Sequence, residues 1–275
     1  LIAKCTENNI PFTIVLNSGY FVTTIKPDSK KYYNISFEHT KKYTMLSDTE
    51  IICIAKEFAA HKIKNYISLF KQRYVKEQNV FIKELEETVG KIYEAQDVNS
   101  VRGFEGYTAK NIYQKLNLFI DDENFHIKKR NRINPDRINS LLNFGYYILF
   151  SRINACIRAS GLNPYLGFLH SPLDNYESLV CDVEELFRSR IDRFIIKLIN
   201  LKIISKDDFD ETEKGMYLKR EKVRIFLNQF EREWDTKSDG RNKNLSLGDN
   251  IYVQITIMKK WILENASLSF YKWEV

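Results

Sequence analysis

Residues 47–70 read SDTEIICIAKEFAAHKIKNYISLF. Apolar Ile51, Ile54, Ala55, Phe58, Ile63, Ile67 and Phe70 recur at steps of three and four, the period at which one face of an α-helix returns to the core. Ser47 and Glu50 stand at capping-box spacing, so each side chain can meet a backbone N–H that the first helical turn leaves unpaired. The stretch predicts a long amphipathic helix and marks where the chain changes character. Upstream, Ile10 to Leu16 (IPFTIVL) and Tyr20 to Lys26 (YFVTTIK) are β-rich runs on either side of Asn17-Ser18-Gly19, which reads as a hairpin. Pro27 to Lys31 breaks it, and Tyr33 to Glu38 predicts one more short strand. Leu1 to Asn8 reads as the end of a helix that began upstream, so a fragment or the tail of a longer polypeptide is expected.

Downstream, apolar spacing predicts helices around 78–94, 102–120, 136–160, 178–201, 219–233 and 250–267, and the polar stretch Asp235 to Asn250 predicts a loop. The expected fold is mainly α: residues 1–43 form the end of an N-terminal β-rich domain, and residues 44–275 form a large all-helical domain. Composition agrees. Ten Gly and five Pro in 275 residues disfavour an all-β protein full of tight turns. With 44% hydrophobic and 28% charged residues, wholesale disorder is excluded. The net charge of +6 permits a polyanionic partner without demanding one. Cys5, Cys53, Cys156 and Cys181 form no C-x-x-C pair, which disfavours a zinc knuckle and fits free thiols in a reducing cytoplasm. No apolar run approaches the 18 residues of a membrane span, and no signal peptide opens the chain.

Three features carry possible chemistry. Glu105 falls inside the apolar stripe of Ala109, Ile112, Tyr113, Leu116, Phe119 and Ile120 rather than opposite it. An inward carboxylate is costly unless a cation or hydrogen bonds meet it; the plainer reading is a first-turn Glu favoured by the helix dipole. Gly161 to Pro172 (GLNPYLGFLHSP) is a Gly/Pro-punctuated apolar segment containing His170, either a satisfied core histidine or a metal ligand. On the 178–201 helix, Asp182 and Glu185 are i,i+3 neighbours that can point at one site, or else belong to a solvated acidic face paired with Arg188 and Arg193. Basic residues cluster at Lys128, Lys129, Arg130, Arg132 and Arg137, and Lys62, Lys64, Lys71 and Arg73 decorate the first long helix. Such groups can contact phosphate or simply face solvent. Two carboxylates, a histidine and basic surface together suit metal-assisted phosphoryl transfer on nucleic acid.

Five blocks, in order, resemble the CRISPR-associated spacer-acquisition integrases, the Cas1 family. GLNPYLGFLH (161–170) and SLVCDVEELFR (178–188) look like that family's signatures G-L-x-P-x-L-G-F-L-H and S-L-x-x-D-x-x-[DE]-x-F-R. RGFEGYTAKNIY (102–113) is similar to the segment around its metal-binding Glu, NPDRINSLLNFGY (134–146) to its P-x-D-x-x-N-x-L-L-x-x-x-Y helix, and Lys62-Ile63-Lys64-Asn65 to its K-I-x-N. The resemblance implies metal ligands at Glu105, His170 and Glu185, with Asp182 a possible assistant, and Mn²⁺ or Mg²⁺ as the cofactor. It implies DNA contacts from Arg102, Lys62, Arg130, Arg132 and Arg188. The implied activity is transesterification that joins the 3′-OH ends of double-stranded prespacer DNA to a CRISPR repeat. The implied partners are a second copy of the chain, the small companion adaptation protein Cas2 and, in some relatives, a fused reverse transcriptase. A nuclease that only hydrolyses DNA, and a non-catalytic helical nucleic-acid-binding subunit, stay open as alternatives.

Overall fold

The computed structural model describes residues 1–16, 21–26, 30–72, 78–172, 176–237 and 244–273. A short helix α1 (Ile2–Glu7) leads into β1 (Phe12–Val15), which pairs antiparallel with β2 (Phe21–Ile25). The turn at Asn17-Ser18-Gly19, part of the breaker Pro27–Lys31, Arg73, and part of the 235–250 loop lie outside the described residues. The strand expected at Tyr33–Glu38 is not formed. Those residues belong to helix α2 (Lys30–Met45), whose buried Ile35 and His39 stand four apart on one face. The aromatic and β-branched residues favoured a strand locally, but packing of that face overrode the preference.

Helix α3 (Asp48–Lys71) begins where the capping box placed it: Glu50 N–H donates to Ser47 Oγ at 3.3 Å, and Ser47 N–H donates to Glu50 Oε2 at 2.8 Å. Helices α4 (Gln78–Glu94), α5 (Val98–Leu116) and α6 (Arg137–Ala159) follow the apolar spacing, α5 with its N-terminus several residues earlier than expected. Gly161, at φ 85°, ends α6 in the left-handed conformation that glycine adopts without a Cβ penalty.

The single helix expected over 178–201 is two: α7 (Ser178–Glu185) and α8 (Arg188–Asn200). The break has a visible cause. In a continuous α-helix the Leu186 carbonyl would accept the Arg190 N–H. Here Arg190 N–H donates to Phe187 O at 3.0 Å, and the Leu186 carbonyl accepts the Asn65 amide at 2.8 Å.

A second antiparallel hairpin, β3 (Phe209–Thr212) with β4 (Gly215–Leu218), was not legible in the sequence. Helices α9 (Arg220–Asp235) and α10 (Leu247–Glu264) follow, the latter under a Ser246–Asp249 capping box. The result is mainly helical, with two small hairpins. One hydrophobic core runs through it; α6 crosses that core against α7, α8 and α10, and α3 packs on α4, α5 and α8. Among the described residues no helix is long and apolar enough to cross a membrane.

Candidate functional site

Six segments meet at one cleft of about 660 Å³: Lys62 from α3, Glu105 from α5, His170 from the loop after α6, Glu185 from the end of α7, Arg188 from the start of α8, and Arg132 from the basic loop before α6. Glu105, His170 and Glu185, 80 residues apart in sequence, are thus brought to a common space.

Glu105 sits in the third turn of α5, which removes the helix-dipole reading. The cation that pays for its inward position is Lys62, whose ammonium pairs with Glu105 Oε1 and lies 2.5 Å from Glu185 Oε2. Burial alone would lower the Lys62 pKa; Glu105 and Glu185 outweigh it and hold the ammonium above the ordinary lysine range. Glu185 is pushed up by burial, but Arg188, Lys62 and His170 prevail and bring it down to about 2. Arg188 pairs with Glu185 at 3.0 Å and Glu184 at 3.4 Å.

His170 is fixed from behind. Its Nδ1 lies 2.7 Å from Asp182 Oδ1, and Asp182 also accepts the backbone N–H groups of Phe168, Leu169 and His170 at 2.5–3.0 Å. Burial lowers the His170 pKa, and the Asp182 hydrogen bond and the charges of Asp182 and Glu185 raise it further than that. With Nδ1–H directed at a carboxylate, the neutral ring presents the Nε2 lone pair. Gly167 makes this close docking possible: a Cβ there would fall 2.6 Å from the Ser178 backbone.

The sequence-based assignments therefore sort by geometry. Asp182 is fully buried and turned to the loop amides and His170 Nδ1 rather than to the cleft. Lys62 and Arg188, expected to contact DNA, line the cleft and are paired there with Glu105, Glu185 and Glu184. Arg102 donates from Nε to the Leu169 carbonyl at 2.6 Å and anchors the His170 loop. Arg130 donates to Asn139 and Asn143 and lies over the rings of Tyr113 and Tyr146 at 5.2 and 5.7 Å. Arg132 is exposed and borders the cleft. Sequence reasoning missed a buried network behind the site, in which Tyr66 (2.6 Å) and Tyr146 both donate to Asp192.

Two carboxylates and an imidazole with a carboxylate behind it form a donor set suited to a divalent transition metal. The side chains as placed are closed by Lys62: among the described residues no three of His, Cys, Asp and Glu are grouped to hold a metal ion. The expected ligand trio is thus assembled at one cleft but not drawn together, because an ammonium already bridges its two acids.

The fold and cleft define a mainly helical protein with two acids, a histidine and basic groups around one cleft. The model of the family CRISPR associated protein Cas1 matches residues 1–232. The CRISPR-associated endonuclease Cas1 of Thermotoga maritima is 28% identical over 229 residues, which cover 82% of this chain and 70% of that one. A casposase bound to integration product superposes with a TM-score of 0.81 at 21% identity, covering all of this chain and 77% of that one. A partial Cas6-RT-Cas1–Cas2 complex gives 0.83 at 22% identity, with 99% and 83% covered. The chain belongs to the Cas1 family.

Proposed function

We propose that the protein is a divalent-metal-dependent DNA integrase of CRISPR adaptation, which joins the 3′-OH ends of captured duplex DNA to a CRISPR repeat. The observation that carries this reading is the convergence of Glu105, Glu185 and His170 on one cleft, with Asp182 setting the imidazole tautomer. The curated relative's name, endonuclease, and the casposase's integration product support phosphodiester chemistry on DNA.

In this reading Glu105, Glu185 and His170 Nε2 hold Mn²⁺ or Mg²⁺, which supplies Lewis-acid polarisation and charge neutralisation at the scissile phosphate. A nitrogen ligand favours Mn²⁺ over Mg²⁺, which prefers oxygen. The chain's own residues do the remaining work. His170 donates its Nδ1 proton to Asp182, which leaves the Nε2 lone pair free, and in this reading that lone pair goes to the metal. Arg188 holds Glu185 ionised, and Arg132 at the rim offers charge to DNA phosphate. One 3′-OH attacks a phosphorus and another 3′-OH leaves, so one P–O bond forms as one breaks and no nucleotide hydrolysis is needed. The catalytic task is positioning and charge neutralisation.

Residues 44–275 are the catalytic domain in this reading, and residues 1–43 the end of a β-rich domain. A second copy of the chain and Cas2 are the proposed partners, in the cytoplasm; the Cas6-RT-Cas1–Cas2 complexes support Cas2 and a reverse-transcriptase association. The test incubates labelled duplex bearing 3′-OH ends with a repeat-containing duplex and Mn²⁺. Integration gives branched DNA of higher mass that is lost in Glu105→Gln, His170→Ala and Glu185→Gln. Shorter strands alone would indicate a hydrolytic nuclease, and no reaction with no metal response would indicate a binding subunit.

A further inference from the structure

Asn65 lies one turn beyond Lys62 on α3, and these two side chains grip adjacent points of the α7–α8 break: Lys62 takes Glu185, and Asn65 takes the carbonyl of Leu186. Asn65 is 1% exposed and uses its whole amide. Its Nδ2 donates to Leu186 O at 2.8 Å and Tyr271 O at 3.2 Å, and its Oδ1 accepts the Trp273 N–H at 2.8 Å. The C-terminal segment 269–273 is therefore bound to the same residue that breaks the helix.

That segment is held elsewhere too. Gln254 donates to Ser269 O at 3.0 Å and accepts the Tyr271 N–H at 2.6 Å. The Tyr271 ring stacks on Phe187 with centroids 4.4 Å apart, and Trp273 lies under the guanidinium groups of Arg190 and Arg193. Thus the two residues of the break are both clamped, Leu186 by its carbonyl and Phe187 by its ring. Glu185 precedes them and Arg188 follows. The clamp also lies partly beyond residues 1–232, the span the family model matches.

We propose that Asn65 and the segment 269–273 form a clamp that positions Glu185 and Arg188 at the cleft, which makes Asn65 a positioning residue for phosphoryl transfer. The inference rests on the catalytic reading of Glu185 given above. A continuous helix through 186–187 would rotate Arg188 and Glu185 by the ordinary helical step. The Asn65 amide takes the Leu186 carbonyl that a continuous helix would give to the Arg190 N–H, and the C-terminal segment holds that amide in place.

Two variants test the clamp. Asn65→Asp keeps an acceptor for Trp273 N–H but sets a carboxylate against two carbonyl oxygens. Deletion of residues 269–275 removes the other half and leaves Asn65 itself intact. Strand-joining rate at saturating DNA, DNA affinity and thermal melting are measured for each, with Glu185→Gln alongside. The clamp requires rates at least about tenfold lower, the usual effect of losing an orienting partner, with affinity within about twofold and a retained melting transition. Wild-type rates in either variant overturn it. So do parallel losses of rate and affinity, or the absence of a cooperative melt in both variants, which mark a purely structural role. Joining that survives Glu185→Gln sinks the catalytic assignment and the clamp with it; joining lost there but kept in Asn65→Asp sinks the clamp alone.

Discussion

Lys62 Nζ stands 2.5 Å from Glu185 Oε2, and neither side chain exposes more than 4% of its surface. The same ammonium reaches Glu105, so a single cation neutralises the two acids that a metal ion would need. Breaking a buried pair by removing one partner leaves uncompensated charge and costs about 3–5 kcal/mol.

Lys62→Met is therefore expected to lower the melting temperature in chelator and to recover much of it in Mn²⁺. A cation that binds only the folded state stabilises by RT ln(1 + [L]/Kd), about 2.7 kcal/mol at a hundredfold excess over Kd. The wild type, with Lys62 competing, should gain less from the same Mn²⁺. Melting curves with and without metal check this, and an equal gain in both proteins would count against competition at this site.

Asp182→Asn places an amide N–H₂ among four groups that point hydrogens at this carboxylate, the three backbone N–H groups and His170 Nδ1. Only one oxygen remains to accept them. Unsatisfied buried donors cost about 1–3 kcal/mol each, and loss of an orienting carboxylate typically costs about 10–100-fold in metal affinity or activity. Both falls are expected, read by melting and by joining rate. The Mn²⁺ midpoint should move to higher concentration as well.

His39 contributes one component of the fold's pH dependence. It is 1% exposed, its Nδ1 accepts the Asn163 N–H at 3.1 Å, and burial lowers its pKa from 6.5 to about 4. The unfolded chain binds the proton more readily, so stability is complete above about pH 6.5 and is lost as pH falls through that value toward 4. The full loss is on the order of 3 kcal/mol. His39→Asn keeps an acceptor for Asn163 and does not titrate, so urea melts from pH 7 to pH 4 should show a flatter curve for the variant.

If Arg132 serves DNA as proposed, Arg132→Ala weakens DNA binding and reduces the salt slope by about 1, the effect of losing one phosphate contact at this exposed position beside the cleft. Arg130→Ala should instead lower thermal stability, because Asn139 and Asn143 lose a donor and two rings lose a cation. Titrations at several salt concentrations separate the two.

Much of this arrangement was legible in the sequence where the cause is local. The Ser47–Glu50 cap set the start of α3, and three-and-four spacing gave α4, α6 and α9 with close limits. Glu105 announced itself by sitting in an apolar stripe. What was not legible depends on partners distant in sequence. Lys62 reads as a surface base until Glu105 and Glu185, 43 and 123 residues away, are folded onto it. The apolar period of 178–201 runs unbroken through the α7–α8 break, because the break is imposed by Asn65 on another helix. Asp182 and Glu185 look equivalent at i,i+3, and only the loop amides that Asp182 accepts tell the orienting acid from the candidate ligand.

In the proposed function Glu105, His170 and Glu185 act as one divalent-ion site once Lys62 withdraws. Anomalous diffraction from crystals soaked in Mn²⁺ tests it most directly. One peak is expected, bounded by the two carboxylates and His170 Nε2, with the Lys62 ammonium displaced. A strand-joining protein whose crystals show Lys62 still bridging both acids, and manganese bound elsewhere, would contradict it.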